Sequence, residues 1–212
     1  MGENTIIFYS TDHGKSLGEW GSGEKGTFDS EVWRVPFVWS YPGKIPEGVS
    51  VETPCGTIDT AKTLLTLLGL EDRIPDTWCG RDLFAPALRP KAKADVGDKL
   101  SQSDSDALAF GVIRAPVEDW PELDPRIMRV AVRSIGFRLD LNWFTDGSLP
   151  EETAQDGSLY DLVADPFETR NLWNDATMRG VRKRLVTAIQ SWIDRNPPGA
   201  ILQDPTKAGT FY

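Results

Sequence analysis

The chain opens on an almost unbroken apolar and β-branched run, Thr5-Ile6-Ile7-Phe8-Tyr9-Ser10, with no alternation of polar residues. Such a run predicts a strand buried on both faces of a parallel sheet. A strand so close to Met1 is an odd place for a complete domain to begin, and it points to a missing amino-terminal portion. From Thr11 to Ser30 the pattern turns polar and carries Gly14, Gly18, Gly21, Gly23 and Gly26, so a loop is expected there. Val35 to Ser40 is a second apolar stretch, ended by the turn signal Tyr41-Pro42-Gly43-Lys44-Ile45-Pro46. Pro36 places it at a strand start or a sheet edge, because proline cannot donate to the ladder.

From Thr57 to Gly69 the period changes to that of a helix. A threonine is available as the cap, Asp59 lies in the first turn, and Gly69 follows the last apolar residue. Ile58, Ala61, Leu65 and Leu68 recur at helical spacing and form the stripe expected to pack on the sheet. Residues 86–106 lose all hydrophobic period and read as a linker or surface excursion. Beyond it, Ile127-Met128-Arg129-Val130-Ala131-Val132-Arg133 and Phe137-Arg138-Leu139-Asp140-Leu141-Asn142-Trp143 alternate around Ser134-Ile135-Gly136. That predicts an antiparallel hairpin with one buried face. After the cap candidate Asp175, the residues Val181, Leu185, Ala188, Ile189 and Trp192 mark an amphipathic helix that stops before Pro197-Pro198-Gly199. The fold class expected is α/β: a partial sheet-and-helix domain over residues 1–105, then a small α+β subdomain over residues 106–212 with an antiparallel sheet and a carboxy-terminal helix.

Composition narrows the functions open to such a chain. Its 212 residues are 40% hydrophobic, enough to bury a sizeable core. The net charge of -9 repels a phosphate backbone and makes nucleic acid an unexpected partner. Any chemistry on an anion must therefore rest on a local cluster of metal, lysine and backbone amides. Cys55 and Cys79 are too few for a disulfide framework. No apolar run approaches the roughly 20 residues needed to span a bilayer, and no signal peptide opens the chain, so a soluble protein, cytoplasmic by default, is expected.

The first strand delivers Thr11-Asp12-His13-Gly14 to its carboxyl end, where open α/β sheets place ligand chemistry. An adjacent carboxylate and imidazole can ligate one divalent ion if the backbone kinks, which Gly14 would permit. From spacing alone the alternative stays open, with Asp12 capping a turn and His13 bonding locally. His13 is the only histidine, so a self-contained histidine site is excluded. Gly14-Lys15-Ser16 does not complete a phosphate-binding loop, because Tyr9 occupies the required upstream glycine position.

Taken together, Ser10-Thr11-Asp12-His13-Gly14, Leu17-Gly18-Glu19, Gly23-Glu24-Lys25-Gly26-Thr27-Phe28, Trp33-Arg34-Val35-Pro36 and Pro42-Gly43-Lys44-Ile45 resemble the later part of the type I sulfatases. The likeness continues through Ile58-Asp59, Leu64-Leu65, Gly69 and Gly80-Arg81-Asp82-Leu83. It resumes at Ala131-Val132-Arg133 and at Ser158-Leu159-Tyr160-Asp161-Leu162 with Asp165-Pro166, Glu168 and Asn171-Leu172. The resemblance implies an alkaline-phosphatase-like fold and hydrolysis of a sulfate ester, on a small molecule or a sulfated glycan. It assigns Asp12 and His13 as ligands of a divalent metal, commonly calcium, with manganese and zinc as alternatives. It assigns Lys25, twelve residues after His13, as the catalytic lysine that contacts the sulfate group. A phosphonate or phosphate ester hydrolase of the same superfamily, and a non-catalytic truncated product, are the competing expectations.

Two departures qualify the resemblance. Trp20 stands where members often carry histidine. The Cys-x-Pro-x-Arg motif that yields the formylglycine nucleophile is absent: neither Cys55-Gly56-Thr57-Ile58-Asp59 nor Cys79-Gly80-Arg81-Asp82-Leu83 fits, and Ser40-Tyr41-Pro42-Gly43-Lys44 aligns with the family's proline-glycine turn. The paired aspartates that complete the family's metal site near its amino terminus are absent too. Formylglycine is thus expected only in a missing amino-terminal half, which becomes a candidate partner, and the chain alone is expected to be inactive.

Overall fold

In the computed structural model of the chain, residues 2, 4–21, 23–84, 108–113, 126–149 and 157–196 are described. They fall into two units, Met1–Gly97 and Asp98–Tyr212. The boundary expected at residue 105 and the linker expected over 86–106 lie outside the described residues.

In the first unit, β1 (Ile7–Ser10) pairs with β2 (Phe37–Ser40) in antiparallel register, Ile7 opposite Ser40 and Ser10 opposite Phe37. This corrects the expectation of a parallel strand buried on both faces. Phe8, Phe37 and Trp39 point to one side and stack, with Phe8 and Trp39 ring centroids 4.3 Å apart and Phe84 edge-on to Trp39. Ile7, Tyr9 and Val38 point to the other side and are exposed. An apolar run shows that a strand can be buried on both faces, but not that this unit supplies a second layer. Pro36 stands just before β2, where its missing N–H costs no ladder bond.

The predicted helix begins as a 3₁₀ turn, Thr57–Asp59, and continues as α2 (Thr60–Leu67), ending at Gly69 with φ +70°. Its packing face differs from the expected stripe. Ile58 and Leu68 are exposed, as is Ala61, while Asp59 and Thr63 are buried. Polar contacts to residues 80–84 decide the orientation. The Asp59 carboxylate accepts from the backbone N–H groups of Gly56 and Arg81 and from the Arg81 guanidinium. The Thr63 hydroxyl donates to the Arg81 carbonyl and accepts from Leu83 N–H. A hydrophobic period cannot register such a face, because the groups that hold it are polar.

In the second unit, β3 (Ala109–Ile113), β4 (Ile127–Arg133), β5 (Phe137–Phe144) and β6 (Gly157–Asp161) form an antiparallel sheet in that order. The β4–β5 hairpin is the one predicted; β3 and β6 are additions. Val130, Val132, Leu139, Leu141, Trp143 and Leu159 face α3 (Arg179–Arg195), which buries Leu185, Ile189 and Ile193 against them. Asp175 caps the approach to α3, its carboxylate accepting from Thr177 N–H. The hairpin's other face was expected to be open to water. Arg138 and Asp140 are buried there instead, in an ion-pair network with Arg129 and Glu168. The segment after β6 is a turn built by side chains: Asp161 accepts from Val163 and Ala164 N–H, and Asn171 accepts from Leu159 and Trp173 N–H.

Candidate functional site

Asp12, His13 and Lys25 meet just past the carboxyl end of β1. The loop that follows is pinned at two points. Gly14 N–H donates to the Val32 carbonyl at 2.7 Å, and Ser16 N–H donates to the Glu24 carbonyl at 3.1 Å. Lys15 adds a 3.4 Å ion pair to Glu24. Below it, α1 (Ser30–Trp33) is anchored by buried Val32 and by Phe28, whose ring meets Trp33 edge-on at 4.9 Å. These constraints fold Lys25 back so that its Nζ lies 2.9 Å from His13 Nε2.

Gly14 matters for a reason other than the expected kink. It does not take a positive φ. A Cβ built there would overlap the Glu31 backbone carbonyl, so glycine is required because α1 crosses the loop at backbone distance.

The imidazole has a defined tautomer in this arrangement. His13 Nδ1 lies 2.7 Å from the Gly14 carbonyl oxygen, which only accepts, so Nδ1–H donates. The Lys25 ammonium only donates, so Nε2 presents its lone pair to it. Asp12 is oriented in turn: its Oδ1 accepts from His13 N–H at 2.9 Å and from the Thr11 hydroxyl at 3.0 Å. Those two hydrogen bonds, the backbone one first, hold the Asp12 carboxyl below the ordinary aspartate value. Thr11 is thus an orienting residue that sequence pattern alone did not single out.

Asp12 Oδ2 and His13 Nε2 are 3.3 Å apart. Two lone-pair-bearing atoms side by side, with a cation on one of them, form a local electron-rich notch. Donors about 2.0–2.6 Å from one cation and at right angles to each other would stand roughly 2.8–3.7 Å apart. The pair therefore fits a divalent ion as two neighbouring ligands. Among the described residues no third His, Cys, Asp or Glu joins them. Lys25 in this structure occupies the nitrogen lone pair that a metal would take. Asp12 and Lys25 are both exposed and His13 is half-buried, so the cluster lies open to solvent. The side chain of Trp20 lies outside the described residues.

Comparison with known proteins gives a consistent result. Residues 1–70 match the Sulfatase family model. The chain is 30% identical over 219 aligned positions to an ulvan-active sulfatase of Formosa agariphila, covering 100% of this chain and 36% of that protein. It is 26% identical to an N-acetylglucosamine-6-O-sulfatase of Bacteroides thetaiotaomicron, covering 89% of this chain and 30% of that protein. The crystal structure of yidJ from Bacteroides fragilis, described as a sulfatase, superposes with a TM-score of 0.70 at 22% identity, over 92% of this chain and 36% of its own. The chain thus spans about a third of the length of the curated relatives it matches.

Proposed function

Because the chain belongs to the type I sulfatase family of the alkaline-phosphatase-like superfamily, we propose that it forms the metal- and anion-binding side of a sulfate ester hydrolase. In that enzyme the nucleophile would come from residues outside this chain. The observation that carries the reading is the return of Lys25 Nζ to His13 Nε2, which gathers a cation, a carboxylate and an imidazole at one strand end.

The roles divide by chemistry. Asp12 Oδ2 and His13 Nε2 would hold the divalent metal that the family generally uses. That ion, when bound, would polarise an ester oxygen as a Lewis acid. Thr11 and the His13 N–H hold Asp12 ionised and aimed. Nδ1–H bonded to the Gly14 carbonyl leaves the lone pair on Nε2, which a metal would take in place of Lys25. Lys25, a compact ammonium on an exposed loop, would place its charge against the sulfuryl oxygens as negative charge grows there. The substrate class we propose is a sulfate ester on a carbohydrate, supported by the relative named as an N-acetylglucosamine-6-O-sulfatase.

Bond cleavage still needs a positioned nucleophile, which charge stabilisation cannot replace. The 212-residue chain alone is therefore expected to show no sulfatase turnover, and to gain it when an amino-terminal sulfatase portion carrying formylglycine is supplied. An aryl sulfate assay, with an aryl phosphate and an aryl phosphonate monoester as competitors, reads this out. Robust metal-dependent hydrolysis by the chain alone would overturn it, and preferential turnover of the phosphorus esters would move the activity to the other branch of the superfamily.

A further inference from the structure

The first two turns of α3 carry Arg179, Arg182, Lys183 and Arg184 with no acidic residue among them. Arg182 is committed locally: its guanidinium lies over the Trp173 ring and donates to the Trp173 carbonyl. Arg179, Lys183 and Arg184 are exposed, and among the described residues none of them has a carboxylate within ion-pair distance. Asp175, the acid nearest in sequence, pairs with Arg170 at 3.5 Å. Asp194, the only acid within α3, is eleven residues beyond Lys183, roughly 16 Å along the axis, and bonds Gln190.

This placement is unfavourable for the helix itself. Cations crowd the end where the macrodipole is already positive, and like charges one turn apart repel. An acidic chain of net charge -9 has carboxylates in excess, yet among the described residues none pairs with these cations. The opposite face of α3 is fully used: Leu185, Ile189 and Ile193 are packed into the core. The outer face therefore offers charge without apolar side chains to insert, which argues against a lipid surface. The overall negative charge opposes any polyanion at long range, nucleic acid and sulfated glycan alike, so binding here would rest on this local cluster of cations.

We propose that the outer face of α3 around Arg179, Lys183 and Arg184 is a docking site for the sulfated polysaccharide chain that carries the ester. It rests on the sulfate-ester reading above and adds a second point of attachment outside the reacting group. Guanidinium groups bind sulfate oxygens in a bidentate manner, and three cations within two turns suit successive anionic groups of one polymer.

The test is binding of heparin, as a sulfated polysaccharide probe, to the full chain at low salt, followed by calorimetry across a salt series. The Arg179→Gln/Lys183→Gln/Arg184→Gln variant is expected to bind about tenfold more weakly with a shallower salt dependence. A Lys44→Gln/Lys62→Gln/Arg73→Gln variant, with the same change in net charge, is expected to bind as the parent. Equal heparin affinity of the two variants would overturn the proposal. Equal affinity of the parent for a DNA duplex of matched charge would overturn the assignment to a glycan. Aryl sulfate turnover with the amino-terminal portion supplied is read on the same proteins. Its absence in the parent would fail the hydrolase reading while leaving the heparin comparison intact, so the two failures are distinguishable.

Discussion

At the scale of single residues, the second unit shows how a sheet can bury charge on the face that its alternation marks as wet. Arg138 donates to Glu168 at 2.8 Å and to Asp140 at 2.5 Å, and its guanidinium lies 4.7 Å from the Tyr160 ring centroid. Arg129 closes the network on the other side of Asp140. Glu168 holds a left-handed backbone, φ 55°, a strained setting for a residue with a Cβ that persists because Arg138 grips its carboxylate. Removing one partner of a buried pair leaves a desolvated charge, so Arg138→Ala should lower the unfolding free energy by about 3–5 kcal/mol in urea melts. Val163→Ser, at a site 61% exposed, should stay within roughly 0.5 kcal/mol. Comparable losses in the two would show that the network contributes little. The alternation of Arg138, Asp140 and Asn142 fixed their common face, but nothing in it announced that Glu168, thirty positions away, would cover them. Asp12 gives the residue-scale pH statement. Its folded value is depressed, so whatever the carboxylate contributes is present above the ordinary aspartate value of 3.8 and lost as pH falls through the lower folded value. Carboxyl-carbon NMR should place its midpoint below 3.8; a midpoint at or above it would mean that the Thr11 and His13 hydrogen bonds are not maintained.

At the scale of elements, the helices and the hairpin were legible where one apolar face decides the packing, as in α3 and the β4–β5 pair. They were misread where polar or backbone contacts decide it. Ile58, Ala61 and Leu68 of the stripe expected on α2 are exposed because Asp59 and Thr63 turn that helix toward residues 80–84, and β1 lacks the second layer its composition suggested. The loop between β1 and α1 is the element on which the site depends, since it brings Lys25 across twelve residues to His13. Its closure needs the backbone approach of Gly14 to Glu31 and the Gly14–Val32 hydrogen bond. Gly14→Ala should therefore open that crossing at about 1–3 kcal/mol, the range for overpacking a filled site. Gly23→Ala, at a position with open space and no positive φ, should be nearly neutral. Thermal melts of both variants check this, and equal melting temperatures would contradict the close crossing.

At the scale of the whole molecule, the sequence carried the family and the broad architecture, and the comparisons bear out both. The convergence of Asp12, His13 and Lys25 was legible through the family resemblance, which assigned Lys25; the strand end by itself singled out only Asp12 and His13. The size of the loop's anchor was not legible, since Phe28, Val32 and the Gly14 crossing act through packing and not through pattern. On the function proposed, Asp12, His13 and Lys25 would stabilise charge, and a full catalytic cycle would need a nucleophile besides them. The central claim is that Lys25 acts on the charge that develops in sulfate ester cleavage. Its most direct test is kcat for aryl sulfate hydrolysis by the chain reconstituted with a formylglycine-bearing amino-terminal portion, comparing the parent with Lys25→Ala. A fall of roughly 10²-fold or more, the scale for losing one group that stabilises an oxyanion, is the result expected; an unchanged kcat would contradict the role assigned to Lys25.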